Sequence, residues 1–223
     1  MRAQAPTHRP TWVLVLSSLM LVTSGSSLAF GLMRMQDPLI EACRHMEASS
    51  ARSPGFGEAL YAWLKPLYAD APASELRLIL AACLLHDVNW RAHPDYRAEL
   101  CFESVTRANM AGADHPERVF LGLALLNRYK ATGPAEELRR YGWMLTPERT
   151  AEAAVLGRAI RLGAMLSGSA TGVLEHASIA RKGGRLVLTL RGPAREFAGE
   201  AVERRLQMLA GRLDAPSEML LVD

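Results

Sequence analysis

From Asp37 onward, apolar residues recur at helical spacing in blocks punctuated by proline, glycine and serine. The strongest block is residues 76–85, apolar at every position except Arg77. It is too long for one buried strand and too short to span a bilayer, so it reads as the body of a central helix over 76–90. Asp37 is placed to cap an earlier helix, with Pro38 in its first position and an end near Met46. After a Ser/Pro/Gly loop over 48–57, residues 56–69 carry Leu60, Trp63, Leu64 and Leu67 on one face. Pro94 opens a helix over about 95–108 with Tyr96, Leu100 and Cys101 inward, and Pro116 opens another to Tyr129. A short helix over 135–141 follows. Thr146 then caps a long one to about Ser167, with Pro147 in its first turn.

The pattern changes after Gly168. Residues 173–180 and 185–190 are rich in strand formers and are joined by Lys182-Gly183-Gly184, a hairpin signal. Residues 197–213 are amphipathic at helical spacing, and 219–222 read as a last strand. The expected fold is mainly α: a helical bundle over 37–169, then a small ββαβ (α+β) C-terminal subdomain over 170–223.

Residues 1–36 stand apart as an apolar N-terminal segment. A basic start (Arg2, His8, Arg9), a largely apolar run over 12–22 and small residues at Ser27 and Ala29 have the layout of a secretory signal. The run is short for a transmembrane helix. Three widely spaced cysteines, Cys43, Cys83 and Cys101, fit neither a zinc pattern nor a disulfide framework, and read as buried reduced thiols. That usage favours the cytoplasm over export through residues 1–29.

The net charge is only +3, but it is unevenly spread. Residues 35–127 hold 8 Lys/Arg and 12 Asp/Glu, whereas 128–212 hold 15 Lys/Arg and 8 Asp/Glu. A basic second half suits a polyanionic partner; the alternative is a solvated arginine-rich surface. Trp63, Trp90, Trp143 and Tyr141 are scattered over apolar helix faces and are expected in the core rather than stacking on bases. No nucleic acid is specifically indicated, and no dinucleotide, Walker or nucleophile-elbow motif is present.

Four stretches together carry a resemblance: LAACLLHDV (80–88), LGLALLNRYK (121–130), LTPERTAEAAVLGRAIRLGAMLSGS (145–169) and GGRLVLTL (183–190). In this order they resemble the C-terminal half of the exopolyphosphatase/guanosine pentaphosphate phosphohydrolase (Ppx/GppA) family, from about Asp37 to the end. The resemblance implies an HD-like helical domain with a small α/β tail, a bacterial-type cytoplasmic protein, and polyphosphate or pppGpp as the ligand. It assigns hydrolysis to a separate actin-like half, for which residues 1–36 leave no room, and allows a homodimer. It also recasts residues 26–42 as the shortened junction between halves, with Gly31-Leu32-Met33-Arg34 as its loop. Residues 12–22 are then a relic of a domain start rather than a signal.

His86 and Asp87 form the HD pair of that resemblance, two metal-ligand types at the edge of a core. A working HD hydrolase also needs an upstream His, a further His and a distal Asp. The matching positions here read Ser53, Lys130 and Ala164. The pair is therefore expected to be a degenerate structural remnant, with no confident catalytic residue and no resident cofactor. Mg or Mn would bind at His86 and Asp87 only if the pair were functional. Lys130, standing where the resemblance places an imidazole, is expected to pair with Asp87 in place of the ion.

The polyanion-binding candidates are Arg128, Lys130, Arg139, Arg140, Arg158, Arg161, Arg181, Lys182 and Arg185. Three function classes result. The first is an exopolyphosphatase-type accessory domain that binds polyanion or a partner. The second is a metal-dependent HD phosphohydrolase with ligands His86, Asp87, His93 and His115, although His93 and His115 read more simply as capping or surface residues at helix starts. The third is an exported helical protein without phosphate chemistry.

Overall fold

Helix α1 spans Pro38–Ser50, and α2, Phe56–Leu64, runs into a 3-10 turn at Lys65–Tyr68. Next come α3, Ala73–Leu85, α4, Pro94–Arg107, α5, His115–Tyr129, and the short α6, Ala135–Tyr141. A 3-10 turn at Gly142–Met144 leads to the longest helix, α7, Pro147–Ser167. The small C-terminal unit is α8, Thr171–Glu175, β1, Ala177–Lys182, β2, Arg185–Arg191, a 3-10 turn at Gly192–Phe197, α9, Glu200–Ala210, and β3, Ser217–Val222. This computed structural model describes residues 37–130 and 135–223. The readings made of residues 1–36 lie outside them.

Local chemistry sets the helix ends. Asp114 accepts a hydrogen bond from the Glu117 amide at 2.7 Å, and the Glu117 carboxylate accepts one from the Asp114 amide at 3.0 Å. This reciprocal capping box starts α5. Thr146 Oγ1 accepts from the Arg149 amide at 3.2 Å to start α7, which ends at Gly168 in the left-handed region (φ 58°).

One apolar core runs through the whole of residues 38–223, from Leu39 to Ala210. α3 is wrapped as expected, with every residue from Ala81 to Leu85 buried. The helix with the widest packing is α5, which lies against both α4 and α7 and is buried from Val119 to Arg128. The α5–α7 crossing brings backbone onto backbone. A Cβ at Gly157 would stand 2.2 Å from the Ala124 carbonyl oxygen and 2.7 Å from Asn127 Cβ. Only glycine permits that approach. Gly57 plays the same part between α2 and α3, where a Cβ would meet Leu84 Cα at 2.7 Å. Its amide donates to Oε1 of the buried Glu47 at 2.7 Å.

The sheet has strand order β1-β2-β3. β1 and β2 form the expected hairpin, closed at Lys182↔Arg185 by Gly183 and Gly184, both at positive φ. β3 returns parallel to β2 after α9, from Leu186↔Ser217 to Arg191↔Val222. β2 is the central strand, and its residues Leu186–Leu190 are buried. That is the ββαβ arrangement.

Several details differ from the sequence reading. α3 stops at Leu85, and His86 is its C-cap, so the HD pair lies on a turn and not on the helix. Val173 belongs to α8, not to a strand, because the chain first makes a helical turn that buries Leu174. On α4, Cys101 faces inward as expected, but Tyr96 is 66 % exposed and Leu100 is exposed too. The buried face is Ala98, Cys101, Phe102 and Val105. Phe102 is the larger anchor, and it turns the helix so that the other apolar pair faces water. Trp63 is in the core, but Trp143 is 79 % exposed. Trp90 is half-buried and its Nε1 donates to the Ser50 carbonyl at 3.1 Å. All three cysteines are buried and free. Among the described residues no helix is long and apolar enough to cross a membrane.

Replacing Gly157 with alanine should cost about 1–3 kcal/mol, since α5 and α7 must part or bend. Gly172→Ala, at a position with open space around it, should be neutral or slightly stabilising. Urea midpoints of the two variants, with unchanged m-values, check the contrast.

Candidate functional site

The site forms where the C-terminal end of α3 meets α5 and α7. His86 is fully buried, its ring 5.2 Å from that of Phe56. Its Nδ1 lies 2.8 Å from the Cys83 carbonyl oxygen, so Nδ1 carries the proton and Nε2 is the lone-pair nitrogen. Nε2 is buried without a hydrogen-bond partner. Burial first, and then the charge of Arg128, lowers the imidazole pKa to about 3. The ring is therefore neutral across the physiological range.

Asp87 is also buried. Arg128 Nη2 donates to its Oδ1 at 3.3 Å, and Arg52 Nε lies 3.5 Å from its Oδ2. The Tyr129 hydroxyl stands 2.9 Å from the His86 carbonyl oxygen and 3.4 Å from Asp87 Oδ1. The Arg128 guanidinium also stacks on the Tyr129 ring, 4.1 Å from its centre. Burial raises the Tyr129 phenol well above its ordinary pKa, so it stays a donor.

Arg161, on α7, points at the end of α5. Its Nη1 donates to the carbonyls of Arg128 at 3.0 Å and Tyr129 at 2.7 Å. These are last-turn carbonyls with no partner inside the helix, and a cation there also suits the helix dipole. Burial first, then Arg205, Arg158 and Arg128, lowers the Arg161 pKa to about 10. Arg158, one turn earlier, is lowered by burial and by Arg212 and Arg205. Arg205 Nε and Nη1 each lie 3.3 Å from a thioether sulfur, those of Met165 and Met208. Thioethers are weak acceptors.

A pocket of about 180 Å³ opens beside these groups, lined by Arg52, Arg128, Tyr129, Arg161, Ala164, Met165 and Ser169. Some of the positions marked by the resemblance meet here: the Arg-Tyr of the α5 stretch on one wall and Ala164 on another, with Asp87 of the HD pair in contact with the lining Arg128 and Arg52. Of the nine basic candidates, Arg128 and Arg161 line the pocket, and Arg158 shares the field of Arg161. The others do not join them. Arg140 lies beside Glu99, Glu103, Glu136 and Glu137, and Arg139 is its neighbour on α6. Arg181 donates to the Leu213 carbonyl at 3.2 Å, next to the exposed hairpin residues Lys182 and Arg185.

Lys130 does not pair with Asp87. Its Nζ bonds Glu99 Oε1 at 2.5 Å, and the cations on Asp87 are Arg128 and Arg52. The backbone at Lys130 has left the helical region, which turns its side chain toward α4. Arg52, next to Ser53 in the α1–α2 loop, was missed because it belongs to the acidic half of the chain. Ser169 was missed because its left-handed φ of 64° has no signature in a one-letter code. His93 caps α4, accepting from the Asp95 amide at 3.3 Å, and His115 Nδ1 lies 3.4 Å from Arg118 Nη2. Among the described residues no three of His, Cys, Asp and Glu gather as metal donors.

This defines a mainly helical domain with an appended α+β unit and an open, arginine-lined pocket beside the turn that follows α3. The profile of the family described as exopolyphosphatase, C-terminal, matches residues 39–217. The chain belongs to that family. No curated protein matches the chain significantly.

Because the His86 pKa falls from 6.5 to about 3 on folding, the unfolded chain binds the extra proton between those values. Stability should be full above about pH 6.5 and should fall steadily as the pH drops toward 3. His86→Leu should flatten the slope in that window, read as urea midpoints at a series of pH values.

Proposed function

We propose that this domain binds phosphate-rich polyanions, polyphosphate or a polyphosphorylated nucleotide, within the exopolyphosphatase architecture. Hydrolysis would belong to an actin-like half on this or another chain. The observation that carries the reading is the arginine field: Arg128, Arg158 and Arg161 on α5 and α7, extended by Arg205 on α9 and by Arg212 just beyond it. Burial and the neighbouring guanidiniums lower the pKa of Arg158 and Arg161, so positive charge is concentrated along this stretch. Family membership supplies the class of anion. A flexible chain of phosphates suits several guanidiniums spaced along adjoining helices, each giving charge-assisted hydrogen bonds.

The second reading is a metal-dependent phosphohydrolase at His86 and Asp87. It draws on two buried atoms without hydrogen-bond partners, His86 Nε2 and Asp87 Oδ2. The donor set does not suit Mg or Mn. Two protein ligands hold a divalent ion weakly, and Arg128 and Arg52 already place positive charge on the carboxylate. The surroundings of Asp87 favour the anion reading.

A filter-binding titration of the purified chain with long-chain polyphosphate should show retention at low salt that declines steeply as salt rises. Arg205→Gln should weaken retention by roughly tenfold, the loss of about one charge-assisted contact. No retention at any salt would end this reading. Metal analysis that finds one tightly held ion per chain would favour the second.

A further inference from the structure

We propose that the pocket between Arg52, Arg128, Arg161 and Ser169 binds a single tetrahedral phosphoryl group, as free orthophosphate or as the terminal residue of a polyphosphate chain. This rests on the polyanion reading above and narrows it from a surface to one subsite.

The first argument is charge. Three guanidiniums from three separate elements, the α1–α2 loop, the last turn of α5 and the middle of α7, line one small space. Asp87 is the carboxylate that Arg128 and Arg52 meet, and Arg161 bonds main-chain carbonyls instead. Arg128 is only 7 % exposed, and its Nε has no hydrogen-bond partner although its Nη2 is held on Asp87. A buried guanidinium with an unmet donor costs stability unless an anion completes it. A dianionic phosphate would balance the net charge of three arginines and one aspartate.

The second argument is fixed geometry. Arg161 is oriented by the two α5 carbonyls that its Nη1 bonds. Arg52 is held between Asp87 Oδ2 and Ser169 Oγ, its Nη2 donating to the hydroxyl at 3.3 Å. Ser169 is buried and sits at φ 64°, a conformation that a residue with a side chain adopts at a cost. Its amide is occupied by the Ala164 carbonyl at 3.1 Å and by Ser167 Oγ at 3.1 Å, which hold the strained turn in place. Strain held in this way at a pocket wall is typical of binding sites.

The third argument is size. The open pocket of about 180 Å³ is well below the ~300 Å³ where small-molecule pockets begin. It suits one phosphoryl group, with the rest of any longer ligand lying outside it. Ala164 is what leaves the space open, since an aspartate there would put its own carboxylate among the guanidiniums.

The test is thermal unfolding of the full chain at constant ionic strength, with sodium chloride replaced stepwise by orthophosphate or by tripolyphosphate. The wild type should gain melting temperature with either ligand in a saturable manner. Arg52→Gln, on a half-exposed side chain, should raise the apparent orthophosphate Kd by tenfold or more. Ala164→Asp should abolish the response, and circular dichroism identifies any variant that fails to fold. Tripolyphosphate binding at least tenfold tighter than orthophosphate assigns the pocket to chain ends, and equal affinity assigns it to free orthophosphate. A wild type that ignores both ligands yet retains long polyphosphate on the filter overturns the pocket and leaves the surface reading standing. Loss of polyphosphate retention as well overturns both. An orthophosphate response unchanged in Arg52→Gln and in folded Ala164→Asp also refutes the proposal.

Discussion

The approach of α7 to α5 at Gly157 is the constraint from which the site follows. Because no side chain stands between the Ala124 carbonyl and the α7 backbone, the two helices meet at the closest distance their main chains allow. Arg161, one turn beyond Gly157, then reaches the last carbonyls of α5. Arg128, on the last turn of α5, is left facing the turn after α3. A bulkier crossing would separate these groups by more than a hydrogen bond can span. The packing of two apolar helices thus decides where the positive charge goes.

Charge then holds the turn at His86 and Asp87. A buried carboxylate left alone is expensive, and breaking a buried pair commonly costs about 3–5 kcal/mol. Arg128 and Arg52 remove that penalty from opposite sides of the carboxylate. Exposed pairs such as Arg44–Glu41 and Arg107–Glu103 are each worth at most about 1 kcal/mol and leave the fold much as it would be without them. His86 contributes as a neutral ring, packed on Phe56 and tied to Cys83, and it would destabilise the core if charged. In this arrangement the Arg128 and Arg52 guanidiniums stand on the carboxylate where a bound cation would otherwise sit.

Most of the helices and their starts were legible in the sequence because their causes are local, whereas the end of α3 and the helical turn of α8 were not. Pro116 in the first turn of α5, Thr146 before Pro147, and Gly183-Gly184 between two strand-forming runs each act within a few residues. The buried face of α4 was not legible, because Tyr96 with Leu100 and Phe102 with Val105 both make apolar stripes. Which stripe turns inward depends on what α5 and α6 present. The misplacement of Lys130 has the same origin. Its neighbour Arg128 lies about half a turn back around the helix, and where α5 ends decides which of the two points at Asp87.

The sequence by itself determined the mainly α class, the appended ββαβ unit, the capped helix starts, and the family to which the chain belongs. These rest on periodicity and short-range chemistry written along the chain. Only the tertiary structure decided that Arg52, Arg128, Arg161 and Ser169 share one pocket, and that Asp87 is neutralised by arginines and not by Lys130. Those groups come from positions far apart in sequence, and their meeting depends on how closely α5 and α7 pack, a property of surfaces in contact that no single segment carries.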